Sequence, residues 1–517
     1  MRKTIALGVF VAGFSSLALE FSASRLLGNF FGTSNIVWAS IIGLILLYLT
    51  LGYWIGGKWA DRSPREATFF SILAWAAFFS ALIPLVSRPI LRFSSQAFDA
   101  MQLGILLGSF SSVIILFSIP VILMGTASPF AIRLALKDTE TSGRVAGQIY
   151  ALSTLGSFLG TFIPVLLLIP LVGTYKTFLI ISGVLWATAA VGLLLEKETK
   201  PLIHILWMPF VIFALAVISL KGSDKTAANI IFEGESAYNY IQVQEIDGYT
   251  LLRLNEGQGI HSVYNPDIVS YGGPWDQVIS APFFNNDFAD INQVKSAAIL
   301  GLAGGTSARQ LSIAFPGVQI LGIEIDPLIV RVGREFFEMN LPNVSVLVDD
   351  ARWGLQKQQS TFDVIFIDAY RPPYIPAHLT TREFFQEVKA HLSFSGVVAL
   401  NAARIADDRA LINSLATTLH QVFPDVYIVD IPETFNSMIY ATLQDTDPLN
   451  IIANYSSLIK DPSSNPFVIQ TLQIAIANLK TEFELGMVFT DDHAPLEWIT
   501  NNMILHFISE GGIEKLQ

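Results

Sequence analysis

The sequence contains no cysteine, and this absence removes several kinds of chemistry at once. Without thiolates, the chain has no disulfides, no cysteine nucleophile and no Cys-ligated zinc or iron–sulfur centre. The seven histidines show neither HxxxH nor HExxH spacing, so no histidine pair marks a metal site. We therefore expect no metal and no prosthetic group.

Charge is also scarce, since only 14% of the 517 residues are charged while 52% are hydrophobic. Such a chain is too apolar for an ordinary soluble protein. Residues 1–225 carry 16 Lys and Arg against 9 Asp and Glu, and the other 292 residues carry 15 against 34. A basic apolar half followed by an acidic half predicts two domains in different solvents. The net charge of −19 on the acidic half repels phosphate, which argues against nucleic acid as a partner.

Seven apolar stretches occupy the first half, and most approach or exceed the roughly 20 residues that a helix needs to cross a bilayer. They lie at about 4–19, 36–57, 67–87, 103–124, 147–172, 176–195 and 202–220. We therefore predict a multi-pass helical domain over residues 1–225 in a cell membrane. Interruptions by Pro120 and Pro129 leave six or eight spans open as alternatives.

From Tyr238 onward, the pattern changes to short apolar runs separated by glycine turns. Residues 240–245 and 249–254 flank Asp247-Gly248, which predicts a β-hairpin within a small subdomain over residues 226–295. After residue 295, strand candidates alternate with helical runs. The strands are expected near residues 297–301, 318–323, 344–348, 364–367 and 397–400. This alternation predicts a doubly wound α/β domain with a mostly parallel sheet over residues 296–517.

Ligands of such sheets bind beyond the carboxyl ends of the strands, where strand order reverses. The first predicted strand ends in the glycine-rich segment Gly301–Gly305, where missing side chains allow close approach of a ligand. The second ends at Glu324, which can accept both hydroxyls of a ribose. The third ends at Asp349-Asp350-Ala351, suited to an adenine amino group, and the fourth ends at Asp368.

Two familiar nucleotide signatures are missing from this region. The glycine pattern does not fit GxGxxG, and no Walker lysine follows it. A sulfonium nucleoside such as S-adenosylmethionine therefore fits better than NAD or ATP.

These residues resemble the spermidine synthase (polyamine aminopropyltransferase) family, in its membrane-fused branch, over about residues 236–445. The resemblance implies a methyltransferase-like fold and transfer of an aminopropyl group from decarboxylated S-adenosylmethionine to putrescine. It also implies nucleoside contacts from the following residues: Gln258, Gly301, Gly304, Gly305, Glu324, Asp350, Ala351 and Pro376. Asp368 is the expected catalytic residue, because an attacking amine must lose a proton and a carboxylate can accept it.

The amine side departs from the family's pattern. Gly304 stands where the family's glycine loop has an acid, Arg371 replaces the second acid of the catalytic loop, and Trp275 aligns with a histidine. Charge at one of these positions is therefore reversed. The acceptor-side candidates in this chain are Asp276, Tyr370, Arg371, Asp491 and Asp492.

Three functions stay open on this basis. The first is aminopropyl transfer to putrescine or a related amine. The second is methyl transfer from intact S-adenosylmethionine, and the third is a non-catalytic nucleoside-binding membrane module. The expected partners are the amine, the nucleoside and the lipid bilayer, and a homo-oligomer is left open.

Two arguments about orientation disagree. With a cytoplasmic N-terminus, the loops on that side hold 10 Lys and Arg against 6 on the other, as the positive-inside rule favours. Seven spans would then place the C-terminal half outside the cell, whereas its expected nucleoside is made and kept inside. We give the nucleoside more weight and predict a cytoplasmic C-terminal half.

Overall fold

The structure is a computed structural model that describes residues 2–31, 35–99, 104–136, 141–219, 229–255, 259–288, 290–370, 374–405 and 408–509. The chain divides into two compact units. The first comprises residues 1–227 and 235–240, and the second comprises residues 228–234 and 241–517.

Within the first unit, the described residues up to 219 are helical apart from short connections. Its helices are α1 (Lys3–Phe31), α2 (Asn35–Arg62), α3 (Glu66–Asp99), α4 (Gly104–Gly125), α5 (Ala127–Ala135), α6 (Ser142–Ile163), α7 (Ile169–Val172), α8 (Thr174–Leu195), α9 (Thr199–Ile205) and α10 (Met208–Ser219). A π-helical turn, Pro164–Leu168, joins α6 to α7. Helices satisfy the polar groups of the backbone internally, which an apolar chain of this composition requires.

Seven helical segments among the described residues are long and apolar enough to cross a membrane. They are Lys3–Phe31, Val37–Arg62, Glu66–Ser94, Leu107–Ala135, Ser142–Val172, Thr174–Leu195 and Thr199–Ser219. Each contains most of one predicted apolar stretch, so the predicted seven-helix architecture is confirmed.

Glycines allow helices α1 and α6 to pack with their backbones in contact. A Cβ atom added at Gly156 would lie 2.1 Å from the carbonyl oxygen of Phe10, and one at Gly160 would lie 2.2 Å from that of Phe14. Small residues at helix interfaces permit this close approach in apolar surroundings. Any larger side chain at either position would force the two helices apart.

The β-strands among the described residues form two sheets. The smaller sheet has the order β1-β2-β3-β4, with β1 (Ile230–Glu235), β2 (Tyr240–Ile246), β3 (Tyr249–Leu254) and β4 (Ile260–Tyr264). Strands β2 and β3 are antiparallel, as the hairpin prediction requires. Asp247 and Gly248 both have positive φ, the conformation that a two-residue type I′ turn needs.

The larger sheet has eight strands in the order β12-β10-β11-β9-β8-β5-β6-β7. Its members are β5 (Ser296–Leu300), β6 (Gln319–Glu324), β7 (Val344–Val348), β8 (Phe362–Ile367), β9 (Leu392–Ala403), β10 (Asp425–Asp430), β11 (Asn436–Thr442) and β12 (Leu479–Lys480). Strands β5 to β9 are mutually parallel, and β11 joins β9 in antiparallel register.

Helices cover this sheet. They are α11 (Pro274–Gln277), α12 (Thr306–Ala314), α13 (Pro327–Phe336), α14 (Ala351–Gln356), α15 (Arg382–Ala390), α16 (Ala410–His420), α17 (Leu449–Leu458), α18 (Pro466–Ala477) and α19 (Leu496–Ser509). Three short 3₁₀ helices cover Val278–Phe284, Ile291–Gln293 and Ala377–Leu379.

Strand order reverses beside β5. The chain first builds outward through β6 and β7, then crosses back to place β8 and β9 on the other side of β5. Strands β5 and β8 are buried on both faces along most of their length, which explains their continuous apolar runs. The predicted doubly wound fold is confirmed. In sheets of this kind, ligands bind at the edge that corresponds here to the ends of β5 and β8.

Candidate active site

The loop after β5 runs along this edge, and glycine determines its shape. Gly301 has φ +93°, and a Cβ atom there would lie 2.6 Å from the carbonyl oxygen of Asp368. Gly305 has φ +92° and directly precedes α12. Between them, the N–H of Gly304 donates to Ser262 Oγ at 2.8 Å. The loop therefore lies directly against the end of β8, with no room for a side chain at position 301.

Glu324 ends β6 beside this loop and is only 7% exposed. Its Oε2 accepts the N–H of Ala303 at 2.9 Å, and its Oε1 accepts the N–H of Asp326 at 3.1 Å. Burial raises the pKa of Glu324 to about 7, although these N–H donors favour the charged form and act in the opposite direction. Each oxygen keeps a second lone pair that a ribose hydroxyl can use.

Asp350 follows β7 and caps α14. Its Oδ1 accepts the N–H groups of Arg352 and Trp353 at 3.0 and 3.2 Å, and its Oδ2 lies 3.0 Å from His378 Nε2. The neighbouring Asp349 pairs with Lys357. The Asp350 carboxylate, which is the predicted partner of an adenine amino group, therefore lies next to the His378 imidazole.

Asp368 follows β8 at the switch point, and its backbone N–H donates to the carbonyl of Leu300 at 2.9 Å. Its Oδ1 accepts a hydrogen bond from Asn401 Nδ2 at 2.7 Å, and the Trp275 side chain also donates to the carboxylate. Burial raises the pKa of Asp368 to about 7, and the two donors offset only part of that rise. A carboxyl group with this pKa exchanges protons readily near neutral pH.

Two further side chains bind Asn401, the residue that donates to the Asp368 carboxylate. Tyr370 donates its hydroxyl to the carbonyl oxygen of Asn401 at 3.2 Å, and burial raises its pKa above the usual value. Asn436 Nδ2 donates to Asn401 Oδ1 at 2.9 Å.

Asp276 is held inside its own loop. It is 1% exposed, and its carboxylate accepts bonds from Ser270 Oγ, Gln310 Nε2 and two backbone N–H groups, those of residues 271 and 272. These bonds fix the segment that carries Trp275. In this structure the carboxylate of Asp276 stabilises the loop and is not presented to solvent.

Asp491 and Asp492 differ in their surroundings. Asp491 pairs with Arg352 at 2.8 Å and accepts the Thr381 hydroxyl at 2.6 Å, so its pKa lies below the usual range. Arg352 also binds Glu387, which ties the segment around Asp491 to α14 and α15. Asp492 is exposed.

The remaining predicted site residues have the following positions. Ala351 is the first residue of α14 and is 9% exposed. Pro376 immediately precedes the 3₁₀ helix Ala377–Leu379 and accepts the N–H of Leu379 at 2.9 Å. Gln258 and Arg371 lie outside the described residues. The roles assigned to all these residues stay predictions.

Asn401, Asn436 and His378 were not predicted from the sequence. Asn401 interrupts the apolar run of β9 near its carboxyl end, one strand away from Asp368, and that interruption is a usable signal. Asn436 could not be found in this way, because its partner lies 35 residues earlier in the chain. His378 sits two residues beyond Pro376, where nothing in the sequence distinguishes it from an exposed loop residue.

The glycine loop, the acid at the end of β6 and the carboxyl group at the switch point lie at one edge of an α/β domain of the methyltransferase-like class. Residues 288–454 match the family model described as the spermine/spermidine synthase domain. Over these residues, the chain is similar to the spermidine synthase family.

Curated proteins with related names are also similar to this chain. A probable polyamine aminopropyl transferase from Bifidobacterium longum is 35% identical over 228 residues, which cover 44% of this chain and 50% of that protein. A polyamine aminopropyltransferase from Vibrio vulnificus is 27% identical over 300 residues, covering 55% of this chain and 96% of that protein. An eEF1A lysine and N-terminal methyltransferase homolog from Drosophila melanogaster is 26% identical over 156 residues, 28% of this chain and 23% of that protein. The chain thus spans about half the length of the first of these relatives.

Proposed function

We propose that the chain is a transferase that moves an aminopropyl group from decarboxylated S-adenosylmethionine to putrescine or a related amine, and releases methylthioadenosine. One observation carries this proposal. Asp368, with a pKa near 7, lies at the switch point directly against the glycine loop. The names of the Bifidobacterium and Vibrio relatives also support it.

The chemistry needs one proton acceptor. An alkyl ammonium has a pKa near 10 in water, so the acceptor amine must lose a proton before its lone pair can attack. In the proposed step, the amine nitrogen attacks the propyl carbon beside sulfur, the C–S bond breaks, and its electron pair stays on sulfur. The sulfonium becomes a neutral thioether, and Asp368 takes the proton from nitrogen. The leaving group is neutral, so the step requires no general acid.

The nucleoside is proposed to bind along the neighbouring strand ends. Glu324 would accept the ribose hydroxyls with the oxygen lone pairs that the backbone leaves open, and Asp350 would accept the adenine amino group. The glycine loop would contact the nucleoside through its backbone. These groups belong to consecutive strands of one sheet, which fixes their spacing.

The test is a product analysis with the purified full-length chain. It is incubated with putrescine and either decarboxylated or intact S-adenosylmethionine, and the products are identified by mass. We expect spermidine and methylthioadenosine from the decarboxylated nucleoside only. A methylated acceptor and S-adenosylhomocysteine from the intact nucleoside would reject aminopropyl transfer.

Methyl transfer is a second candidate. The match to a Drosophila methyltransferase homolog favours it, and so does Arg371 in the sequence after Asp368. A cation there would repel a diamine but could pair with the carboxylate of intact S-adenosylmethionine. Under this alternative, the nucleoside-binding edge is the same and only the transferred group differs.

Arg371→Asp separates the two candidates. If aminopropyl transfer is correct, the new acid should lower the KM for putrescine, because it attracts the ammonium. If methyl transfer is correct, the variant should lose affinity for intact S-adenosylmethionine. Arg331→Asp, the same charge change at an exposed position of α13, is the matched control and should alter neither quantity.

We further propose that the seven apolar segments lie in a cell membrane and that the C-terminal half faces the cytoplasm. The length and composition of the helices support the first statement. The second rests on the intracellular supply of the proposed nucleoside.

A further inference from the structure

Two asparagine side chains lead away from the carboxylate of Asp368, and we call them the asparagine pair (Asn401 and Asn436). Asn401 Nδ2 donates to Asp368 Oδ1 at 2.7 Å, and Asn436 Nδ2 donates to Asn401 Oδ1 at 2.9 Å. In the proposed reaction, Asp368 accepts a proton, and the asparagine pair has no direct role.

Strand register places the asparagine pair on one face of the sheet. In the antiparallel pairing of β9 and β11, Asn401 lies opposite Met438, and Asn436 lies opposite Ala403. The two asparagines are therefore diagonal neighbours, whose side chains point to the same face and can reach each other. Asn401 is only 5% exposed, so water competes little for its amide.

A side-chain amide has a donor end and an acceptor end, and its orientation decides which end meets a neighbour. With Nδ2 toward Asp368, the amide of Asn401 stabilises the ionised carboxylate that can accept a proton. With Oδ1 toward Asp368, the same amide would repel that carboxylate. Asn436 holds a donor against the acceptor end of Asn401, which is satisfied only in the first orientation.

We propose that Asn436 is a positioning residue for Asp368, acting by fixing the Asn401 amide with its N–H toward the carboxylate. This inference rests on the proposed role of Asp368 as proton acceptor. Asn401 contacts the Asp368 carboxylate directly, whereas Asn436 affects Asp368 only through its hydrogen bond to Asn401.

Other charged and titratable groups face the asparagine pair. Tyr370 contacts the Asn401 carbonyl, and Arg404 donates to the carbonyl oxygen of Asn436 at 3.2 Å. Asp430 on β10 lies 3.7 Å from Arg404 and also pairs with Arg409 at 3.0 Å. The charge of Asp430 is thus balanced by two arginines. From the asparagine pair, the Asp368 carboxylate receives a hydrogen bond donated by Asn401.

Asn436→Asp is the decisive substitution. Aspartate keeps the size of asparagine, but when ionised it can only accept hydrogen bonds. It should draw the Nδ2 of Asn401 toward itself and turn the Asn401 carbonyl oxygen toward Asp368. Ionised Asp368 is then destabilised, so the acidic limb of the pH profile of kcat/KM should move upward by about one pH unit or more.

The new negative charge at position 436 would also raise the pKa of Asp368 by itself, and a double-mutant cycle separates this effect. In an Asn401→Ala background, Asn436→Asp can act only through its charge. We expect a clearly smaller shift there than in the wild-type background. Asn340→Asp, the same change at an exposed position of the C-terminal unit, is the control and should leave the profile in place.

Equal shifts in both backgrounds, or no shift from Asn436→Asp, would overturn the inference. If the wild-type chain forms no product at all, the proposed function fails, and the asparagine pair is tested through stability. The gain in Tm from Asp368→Asn levels off at the pH where Asp368 is fully ionised in the folded chain. That pH should rise when Asn436 is replaced by aspartate, and an unchanged value would again reject the role of Asn436.

Discussion

Glu324 and Asp368 both lie in surroundings that disfavour their charged forms. Burial raises the pKa of each carboxyl group to about 7, far above the value of an exposed acid. Ionising them therefore costs the folded chain stability, while the proposed chemistry needs the ionised forms. This conflict is common at sites that move protons, and it makes both residues accessible to pH-dependent measurements.

Asp368→Asn should remove the proton acceptor while keeping shape and hydrogen bonding. Turnover should fall about 10²- to 10⁴-fold, with nucleoside affinity little changed. Initial rates and calorimetry of nucleoside binding measure the two quantities. A variant that keeps its turnover would show that another group accepts the proton.

The same substitution should stabilise the chain in a pH-dependent way. Below about pH 4, Asp368 is protonated in both folded and unfolded chains, so the variant gains little. Between about pH 4 and pH 7, the unfolded chain ionises first, and the wild type loses stability relative to the variant. Thermal unfolding at pH 5 and pH 8 should therefore show a larger Tm advantage of the variant at pH 8. A constant difference would mean that Asp368 is not held neutral by the fold.

Glu324 should make nucleoside binding depend on pH. In the proposed complex, the ribose hydroxyls would donate to the ionised carboxylate, so wild-type affinity should rise between pH 6 and pH 8 as Glu324 loses its proton. Glu324→Gln cannot ionise and should bind about 1–3 kcal/mol more weakly at pH 8, with a flat pH dependence. Calorimetric titrations at three pH values test this. Equal affinities of the two proteins at pH 8 would exclude Glu324 from the ribose site.

At the level of elements, the junction of β5 with its glycine loop is tightly constrained. Gly301 combines a positive φ with a close approach of the backbone of Asp368 and Ala369, which lies within 2.7 Å of the position that a Cβ atom would occupy. Gly317 also has a positive φ, but a Cβ atom there would meet nothing within 4 Å. The two positions therefore separate backbone strain from steric conflict.

Gly317→Ala should cost only the strain of a left-handed residue, about 1 kcal/mol. Gly301→Ala should cost that strain and also displace the end of β8, so we expect several kcal/mol and at least a tenfold loss of nucleoside affinity. Chemical denaturation and nucleoside titration compare the variants. Similar behaviour of the two variants would mean that the loop yields without moving Asp368.

At the scale of the whole molecule, the two halves of the sequence differ in hydropathy and in the sign of their net charge. The described residues of the first half supply seven helices suited to a bilayer, and the second half folds as an acidic α/β domain. This arrangement agrees with the proposal of a transferase that is held in a membrane and acts on small soluble substrates.

A reporter fused after Gln517 tests the orientation. An enzyme that is active only in the periplasm should stay silent in this fusion, because we expect the C-terminal half to be cytoplasmic. A cytoplasm-active reporter at the same position should be active and serves as the control for expression. Strong periplasmic activity would show that the distribution of Lys and Arg, and not the supply of nucleoside, gives the orientation.

The sequence by itself determined the seven apolar segments, the hairpin and the five parallel strands, and with them the edge of the sheet at which the proposed site lies, but it did not predict the antiparallel strands β10, β11 and β12. Hydropathy is a local property, so the seven apolar segments could be read directly from it. The alternation of strands and helices predicted the doubly wound sheet, and the rule of strand ends then brought Gly301, Glu324, Asp350 and Asp368 to one edge.

Only the tertiary structure decided which acidic side chains are already engaged in structural hydrogen bonds or ion pairs. Asp276 and Asp491 looked equivalent to other acids in the sequence, yet one is bonded inside its loop and the other pairs with Arg352. The asparagine pair likewise depends on the register between β9 and β11, which joins residues 35 positions apart. Such partners depend on long-range packing, because hydrogen bonding and burial follow from distance in space and not from neighbours in the chain.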